Sequence, residues 1–289
     1  MTTGLMSTAE NEVRARPGFR RALIRDPRAA LGAGLVVAAT VAAVLAPLLS
    51  PYAPDAADFV DTLAAPSAAH LLGTDDLGRD VLSRITYGAR VSLFVGVLSV
   101  TLAGAAGTLL GLAAGYFGRG ADALIMRAMD VVFAFPSILL ALAITAVLGP
   151  SLTNAVLAIA VVNLPVFARV ARAQTLVVRE LDYVEAKRAL GFGQMNILLH
   201  TVLPNILAPV IVQGSLLFAS AIITESYLSF LGLGVQPPTP SWGNMLRNAI
   251  GFLELAPWLA WFPGAAIFLT VLGCNLLGDG LRDRFDPRD

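Results

Sequence analysis

Six long apolar runs, with at most one charged residue each, constrain this chain more than any other feature of its sequence. They cover Ala29–Leu49, Val91–Tyr116, Val131–Leu148, Leu152–Ala168, Ile206–Leu231 and Leu259–Leu277. Each run approaches the roughly 20 residues that a helix needs to cross about 30 Å of hydrocarbon. Only 14% of the residues are charged and 56% are hydrophobic, whereas about a quarter are charged in soluble domains. The pattern predicts an all-α polytopic membrane protein with six transmembrane helices.

The first run admits a second interpretation, because small residues close it as they close a signal peptide. The apolar part of a signal peptide spans only about 7 to 15 residues. This run is longer and ends at Pro47 and Pro51. We therefore predict a first transmembrane helix over residues 29–50.

The basic residues predict how the chain is oriented. Six arginines precede the first span, and two, five and three basic residues lie in 118–130, 169–205 and the C-terminal tail. The other side carries only four: Arg79, Arg84, Arg90 and Arg247. Because cytoplasmic segments are enriched in Lys and Arg, we predict cytoplasmic tails at 1–28 and 279–289, an extracytoplasmic loop at 51–90, and a five-helix core at 91–278. The core includes a cytoplasmic loop at 169–205, and a second outer loop spans 232–257.

A polar interlude at Arg179–Asn205 separates the fourth and fifth apolar runs. Its pattern predicts two short amphipathic helices that meet at Gly191, because glycine adopts the left-handed conformation that ends a helix. The first apolar stripe is Leu181, Val184 and Leu190, and the second is Met195, Ile197, Leu198 and Val202. The interlude is too polar to enter lipid, so it either offers a face to a partner or is a surface hairpin without one.

Glu225 is the one ionisable residue well inside a predicted span. A carboxylate there costs about 2.5 to 3.5 kcal/mol on insertion scales. Together with Thr224, Ser226 and Ser229, it predicts a polar section of a translocation pathway. The alternative is a position near the outer surface, where water solvates the carboxylate at little cost.

Three further features have structural explanations beside functional ones. Gly107, Gly111 and Gly115 share a helical face on which another helix can approach closely, from this chain or from a partner. Pro136, Pro165 and Pro209 can kink spans for gating, although proline is common in transmembrane helices. The aspartates of residues 55–80 lack the closing Glu of an EF-hand, so we predict a solvated face with Thr74 or Asp75 capping a helix that begins near Leu77.

The sequence lacks the motifs of several enzyme classes. It contains no G-x-x-x-x-G-K-[ST], and Lys187 is its only lysine, so no P-loop lysine is available for ATP. It contains no H-E-x-x-H and no G-x-S-x-G. His70 and His200 fall on opposite sides of the predicted membrane, and Cys274 is the single cysteine. We predict no catalytic, cofactor or metal site, and the net charge of zero gives no reason to expect nucleic acid.

Two groups of motifs resemble a known family. Glu185-Ala186, Gly191 and Leu203-Pro204 match the spacing of the EAA loop of ABC importer permeases, which docks into a cleft on the ATPase, although Lys187 replaces its second alanine. The string from His70 to Arg84 resembles the second permease subunit of the dipeptide, oligopeptide and nickel branch. The match continues through Gly115–Gly118, Ala134–Ser137, Leu228–Pro238, Pro240–Met245 and Asn275–Asp283.

This resemblance implies a type I importer permease in the cell membrane that forms half of a translocation pathway. The implied partners are the lipid bilayer, a homologous permease subunit, an extracytoplasmic solute-binding protein, and ATPase subunits that hold ATP and Mg. Peptides are the expected cargo, with nickel or a nickel chelate as the alternative. An ion-driven secondary transporter and a structural membrane scaffold are the competing classes, but the former usually has internal repeats and several midplane ionisable residues.

Overall fold

The structure is a computed structural model that describes residues 26–285, and nearly all regular structure in that range is helical. An isolated bridge joins Thr74 to Asp80. The helices, in chain order, are α1 (Pro27–Val44), α2 (Ala46–Leu49), α3 (Val81–Phe117), α4 (Arg119–Phe133), α5 (Ser137–Leu148), α6 (Leu152–Val178), α7 (Asp182–Ala189), α8 (Gln194–Ile197), a π-helical segment (Leu198–Val202), α9 (Leu203–Phe230), α10 (Trp242–Ala249), a 3-10 turn (Ile250–Phe252) and α11 (Trp258–Phe285).

Five of the helical segments are long and apolar enough to cross a membrane: α1, α3, α6, the continuous segment from α8 to α9, and α11. The third predicted span, Val131–Leu148, is wrong as a single helix. Its residues belong to α4 and α5, which meet at an angle of 89°. Proline has no N–H and disfavours helical geometry in the residue before it, so the chain breaks at Pro136 and a new helix starts. Six spans result when this bent pair counts as one.

Several helices extend beyond the predicted spans. Helix α3 begins at Val81, ten residues before the apolar run, and α6 continues to Val178. Helix α11 runs to Phe285, into the segment predicted as a tail. Hydropathy marks the hydrocarbon boundary and not the end of a helix, because helical residues that project beyond the lipid can be charged. Residues 1–25, most of the predicted N-terminal tail, lie outside the described residues.

The first turn of α3 corrects the predicted cap. Asp80 is the N-cap residue, and its Oδ2 accepts hydrogen bonds from the backbone N (2.8 Å) and the hydroxyl (2.7 Å) of Ser83. The Asp75 carboxylate instead closes the preceding turn by accepting hydrogen bonds from the backbone N atoms of Leu77 and Arg79. The helix begins where Asp80, and neither Thr74 nor Asp75, can satisfy its free N–H groups.

The centre of the fold is the contact between α3 and α6. A Cβ added to Gly107 would lie 2.6 Å from the Phe167 Cβ, and one added to Gly111 would lie 2.2 Å from the Ala168 carbonyl oxygen. A Cβ on Gly115 would lie 2.7 Å from that of Thr175. The glycine face therefore packs inside this chain, which decides between the two alternatives that its spacing left open.

On the predicted outer side, the first loop is held over the helix ends by buried polar contacts. Arg79 Nε donates a hydrogen bond to Asp75 Oδ2 at 2.7 Å, and Arg84 Nη1 donates one to the Pro54 carbonyl at 2.9 Å. His70 Nδ1 lies 3.0 Å from Asp80 Oδ1, the carboxylate oxygen that does not bond Ser83. These contacts convert an irregular stretch into a fixed part of the fold.

Candidate functional site

The polar interlude forms two short helices that meet in a sharp turn, which we call the elbow (Asp182–Val202). Gly191 has φ +80°, and its backbone N donates to the Arg188 carbonyl at 3.0 Å. The backbone N of Phe192 donates to the Lys187 carbonyl at 3.1 Å. This pair of hydrogen bonds is the Schellman ending of a helix, in which glycine takes the left-handed position. The predicted turn at Gly191 is present.

The elbow divides its apolar residues between the interior and the surface. Val184, Ile197 and Val202 are fully buried in one core cluster with α3 and α6. Leu190 is 76% exposed and Met195 60% exposed. Leu181 is also exposed, at 41%, so three of the seven residues in the two stripes lie at the surface. The remaining positions anchor the elbow, while the exposed ones form an apolar surface.

Lys187, at the position of the family's second alanine, turns toward its own chain. Its Nζ donates a hydrogen bond to Thr201 Oγ1 at 2.9 Å and lies 5.9 Å from the centroid of the Phe192 ring. The side chain is half-buried. It links α7 to the π-helical segment, so less of its basic side chain reaches the solvent-exposed face of the elbow than the sequence suggested. Glu185 and Ala186, the other two residues of the motif, are exposed.

The motif residues Leu203 and Pro204 open α9 directly after the π-helical segment. The backbone N of Leu203 donates to the Leu198 carbonyl, five residues earlier. A proline inside a regular α-helix crowds the carbonyl four residues before it and offers no N–H to it. The wider π turn accommodates Pro204 without interrupting the helical path. The elbow is thus continuous with α9.

Arginines attach the elbow's base to the neighbouring helices. Arg172 and Asp122 form a bidentate pair, with Nε–Oδ1 at 2.5 Å and Nη2–Oδ2 at 2.6 Å. Arg179 Nη1 donates to the Gly115 carbonyl at 2.7 Å. These links join α4, α6 and the end of α3, and sequence reasoning missed them because their partners are 50 and 64 residues apart. The cluster of basic residues in 169–205 was the one available signal.

A cavity of about 450 Å³ opens between the elbow and the end of α3. Its lining is aromatic and polar: Tyr116, Phe117, Arg188, Phe192, Gln194 and Ile197. The Arg188 guanidinium lies 5.7 Å from the centroid of the Tyr116 ring. The elbow therefore touches its own transmembrane helices on one side and leaves open space on the other.

Glu225 is completely buried near the opposite end of α9. Ser92 Oγ donates to its Oε2 at 2.9 Å and Ser229 Oγ donates to its Oε1 at 2.7 Å. The backbone N of Val235 in turn donates to Ser229 Oγ at 3.2 Å. The carboxylate thus connects α3, α9 and the loop after α9. In this conformation Glu225 and Ser229 are enclosed by their own chain, and the pathway role predicted for them stays a prediction.

The two candidate sites lie at opposite ends of one helix. Twenty-one positions separate Pro204 from Glu225, or about 32 Å at 1.5 Å per residue. They cannot act on the same group, although α9 connects them directly. Within residues 26–285, no group of three or more His, Cys, Asp or Glu residues is placed to hold a metal ion.

Residues 26–285, which are almost entirely helical and carry five or six apolar spans, a polar elbow on one side and a capped loop on the other, have the architecture of a membrane permease subunit. A family model described as "Binding-protein-dependent transport system inner membrane component" matches residues 107–288, and one described as "N-terminal TM domain of oligopeptide transport permease C" matches 18–66. The chain belongs to this family of binding-protein-dependent transport permeases and is a permease subunit of an ABC importer. Membership implies an ATPase and a solute-binding protein as partners.

Relatives cover nearly the whole chain. The dipeptide transport system permease protein DppC of Alkalihalophilus pseudofirmus is 48% identical, over 94% of this chain and 90% of its own length. DppC of Escherichia coli is 51% identical over 91% and 90%. The glutathione transport system permease protein GsiD of Pectobacterium atrosepticum is 47% identical over 93% and 90%. Among solved structures, the methionine ABC transporter MetNI in an inward-facing conformation matches 69% of this chain and 95% of its own chain, with a TM-score of 0.55 and 16% sequence identity. This similarity shows that the two chains share a fold.

Proposed function

We propose that the elbow is the coupling element through which a separate ATPase moves this permease. The observation that carries the proposal is the split of the elbow's residues: Val184 and Ile197 anchor it, while Glu185 and Leu190 face outward. An exposed apolar surface flanked by charge is typical of a protein interface. Because α9 continues from the elbow, displacement of the elbow moves a transmembrane helix.

Two substitutions test this coupling. Glu185→Arg reverses a charge on the exposed face, and Gly191→Val places a β-branched residue at φ +80°, a conformation that such residues avoid. We expect both variants to assemble with the ATPase and to lose most transport and transport-stimulated ATP hydrolysis. Glu254→Arg, which reverses the charge of an exposed carboxylate in the second outer loop, serves as the control. Normal coupling in both elbow variants would remove the elbow from the mechanism.

We propose that both termini and the elbow are cytoplasmic, with ATP and Mg held by the partner ATPase and not by this chain. The asymmetry of basic residues supports this orientation. A cysteine introduced at Met195, in a chain whose Cys274 is replaced by Ser, tests it. We expect labelling by a membrane-impermeant thiol reagent in inverted vesicles and not in intact cells, and the reverse pattern would overturn the orientation.

We propose that α9 borders the translocation pathway together with a homologous permease subunit. Four polar residues follow one stripe of α9 at heptad-like spacing: Gln213, Ser220, Thr224 and Tyr227. None of the four is buried by its own chain. Polar groups are costly in hydrocarbon, so this face suits water or protein better than lipid. Glu225 and Ser229 lie behind the stripe, where we assign them to the outer end of the pathway as residues that position α9.

Cysteine accessibility tests this stripe. In a Cys274→Ser background, we expect Thr224→Cys to react with a water-soluble thiol reagent and to be protected by transported peptide. Leu102→Cys, at an apolar position on α3 that is 41% exposed, is the control and should stay unreactive. Equal reactivity at the two positions would place the pathway elsewhere.

We propose that the cargo is a short peptide. The relatives described above are named for dipeptide and glutathione transport, which supports a peptide over nickel. The experiment is mass spectrometry of the ligand carried by the solute-binding protein that copurifies with this chain. Peptides of two to about five residues are the expected result, and a bound nickel chelate would overturn the assignment.

A further inference from the structure

The first outer loop presents two apolar side chains to solvent. Phe59 is 75% exposed and Val60 is 90% exposed, and Leu77, 38% exposed, is held beside them because the Asp58 backbone N donates to its carbonyl at 3.1 Å. We call residues 55–61 with Leu77 the outer lobe. Apolar side chains that lie together and largely exposed are characteristic of a surface that another molecule covers.

Hydrogen bonds hold the outer lobe in a defined conformation although it has no regular secondary structure. Asp58 Oδ1 accepts a hydrogen bond from the Val60 backbone N at 3.0 Å. The Thr74 hydroxyl donates to the Asp61 carbonyl at 2.5 Å and accepts from the Ala64 backbone N at 2.8 Å. Because these bonds fix the segment in advance, a partner that binds it loses little free energy in ordering the chain.

The charge around the apolar pair limits what can cover it. Asp55, Asp58 and Asp61 are all exposed, and no ion pair involves them anywhere in residues 26–285. The sequence has no Lys or Arg between Arg28 and Arg79. Insertion into lipid would strip water from three carboxylates at a cost of several kcal/mol, so a bilayer is a poor occupant. An apolar protein patch flanked by Lys and Arg is complementary.

We propose that the outer lobe is a docking surface for the solute-binding protein of this transport system. The assignment rests on the proposed function, which places this loop outside the cytoplasm and requires such a partner. Phe59 and Val60 supply the contact that is buried on docking, and the three aspartates steer a partner with a basic rim. Electrostatic steering of this kind acts mainly on the association rate and weakens as salt rises.

The test measures binding of the purified solute-binding protein of the same system to the complete transporter in lipid nanodiscs. We expect Phe59→Asp to raise Kd about tenfold or more, as the loss of a central aromatic contact does. We expect the double variant Asp55→Asn and Asp61→Asn to slow association several-fold and to reduce its dependence on salt. Neither change removes a hydrogen bond that holds the lobe, so the fold should be retained.

Two matched controls make the result decisive. Leu71→Asp adds the same charge at a residue of the same loop that is 61% exposed, and Asp283→Asn removes a carboxylate at the far end of α11. Both should keep the wild-type Kd. An equal loss in Phe59→Asp and Leu71→Asp would show a general effect of added charge and would overturn the assignment to the outer lobe.

The remaining outcomes separate this inference from the proposed function. If the wild-type transporter binds no solute-binding protein, the proposed function fails. If it binds and Phe59→Asp binds equally well, only the outer lobe is wrong. Loss of the sister permease in Phe59→Asp would assign the surface to the contact between permeases. A last outcome concerns lipid and uses Phe59→Trp in a chain whose native tryptophans are replaced, in nanodiscs that lack the binding protein. Blue-shifted tryptophan emission from this sample would assign the outer lobe to lipid.

Discussion

The contact between α3 and α6 predicts very different tolerance at two glycines of the same helix. A Cβ at Gly111 would lie 2.2 Å from the Ala168 carbonyl oxygen and 2.8 Å from the Ala171 Cβ, whereas one at Gly104 would lie 3.5 Å from its nearest neighbour, on Phe167. Ordinary contact begins near 3.4 Å. Gly111→Ala therefore requires the two helices to separate by about 1 Å, while Gly104→Ala fits as the structure stands.

The expected cost follows from the packing. Overpacking of a close-packed interior costs about 1 to 3 kcal/mol, and part of the dispersion contact along the glycine face is lost as the helices separate. For a chain of this size we expect Gly111→Ala to lower Tm by about 3 to 8 °C. For Gly104→Ala we expect a change in the free energy of unfolding within about 0.5 kcal/mol.

Thermal unfolding of the two variants in one detergent, at one scan rate, makes the comparison, since unfolding of membrane proteins is often irreversible. Both substitutions add a single methyl group to the same helix, so differences in helix propensity cancel. Equal Tm values for the two variants would refute the close approach of α3 and α6 at Gly111.

Three further predictions concern polar contacts between helical segments. Trp242→Phe removes the hydrogen bond from the indole N–H to the Ile85 carbonyl (3.1 Å) and should cost about 1 kcal/mol of stability, measured as a fall in Tm that an unchanged melting curve would contradict. Lys187→Met cannot donate a hydrogen bond to Thr201, so it should speed hydrogen exchange of the elbow amides without changing Tm by more than about 2 °C. Unchanged exchange would show that this bond does not hold the elbow. Glu225→Ala leaves two serine hydroxyls without their acceptor and opens a cavity, which should lower the free energy of unfolding by about 3 kcal/mol. Glu225→Gln retains one acceptor and should lower it by about 1 kcal/mol. Equal Tm values for the two variants would contradict this.

Much of the fold follows from local patterns in the sequence. The apolar runs predict the spans because crossing the hydrocarbon requires a minimum length of uncharged helix. Gly191 is recognisable as the turn because its role depends only on backbone conformation at one residue. The family motifs predict the elbow's position and the class of transporter. These features need no knowledge of which segments lie side by side.

Other features depend on contacts that no local pattern contains. Both sides of Pro136 are uncharged, so hydropathy cannot distinguish a bent pair of helices from one span. Ser92 is 133 residues from Glu225, and nothing in either segment predicts that they meet. The inward turn of Lys187 depends on Thr201, which packing brings within reach. Helix ends were displaced by about ten residues because charged residues continue a helix beyond the lipid.

We expect this subunit to move cargo only when a partner hydrolyses ATP. The decisive measurement is peptide uptake into proteoliposomes that contain this chain, its sister permease, the ATPase and the solute-binding protein. We expect uptake with ATP, and none with a non-hydrolysable analogue or with an ion gradient alone. Gradient-driven uptake by vesicles that lack the ATPase would contradict it.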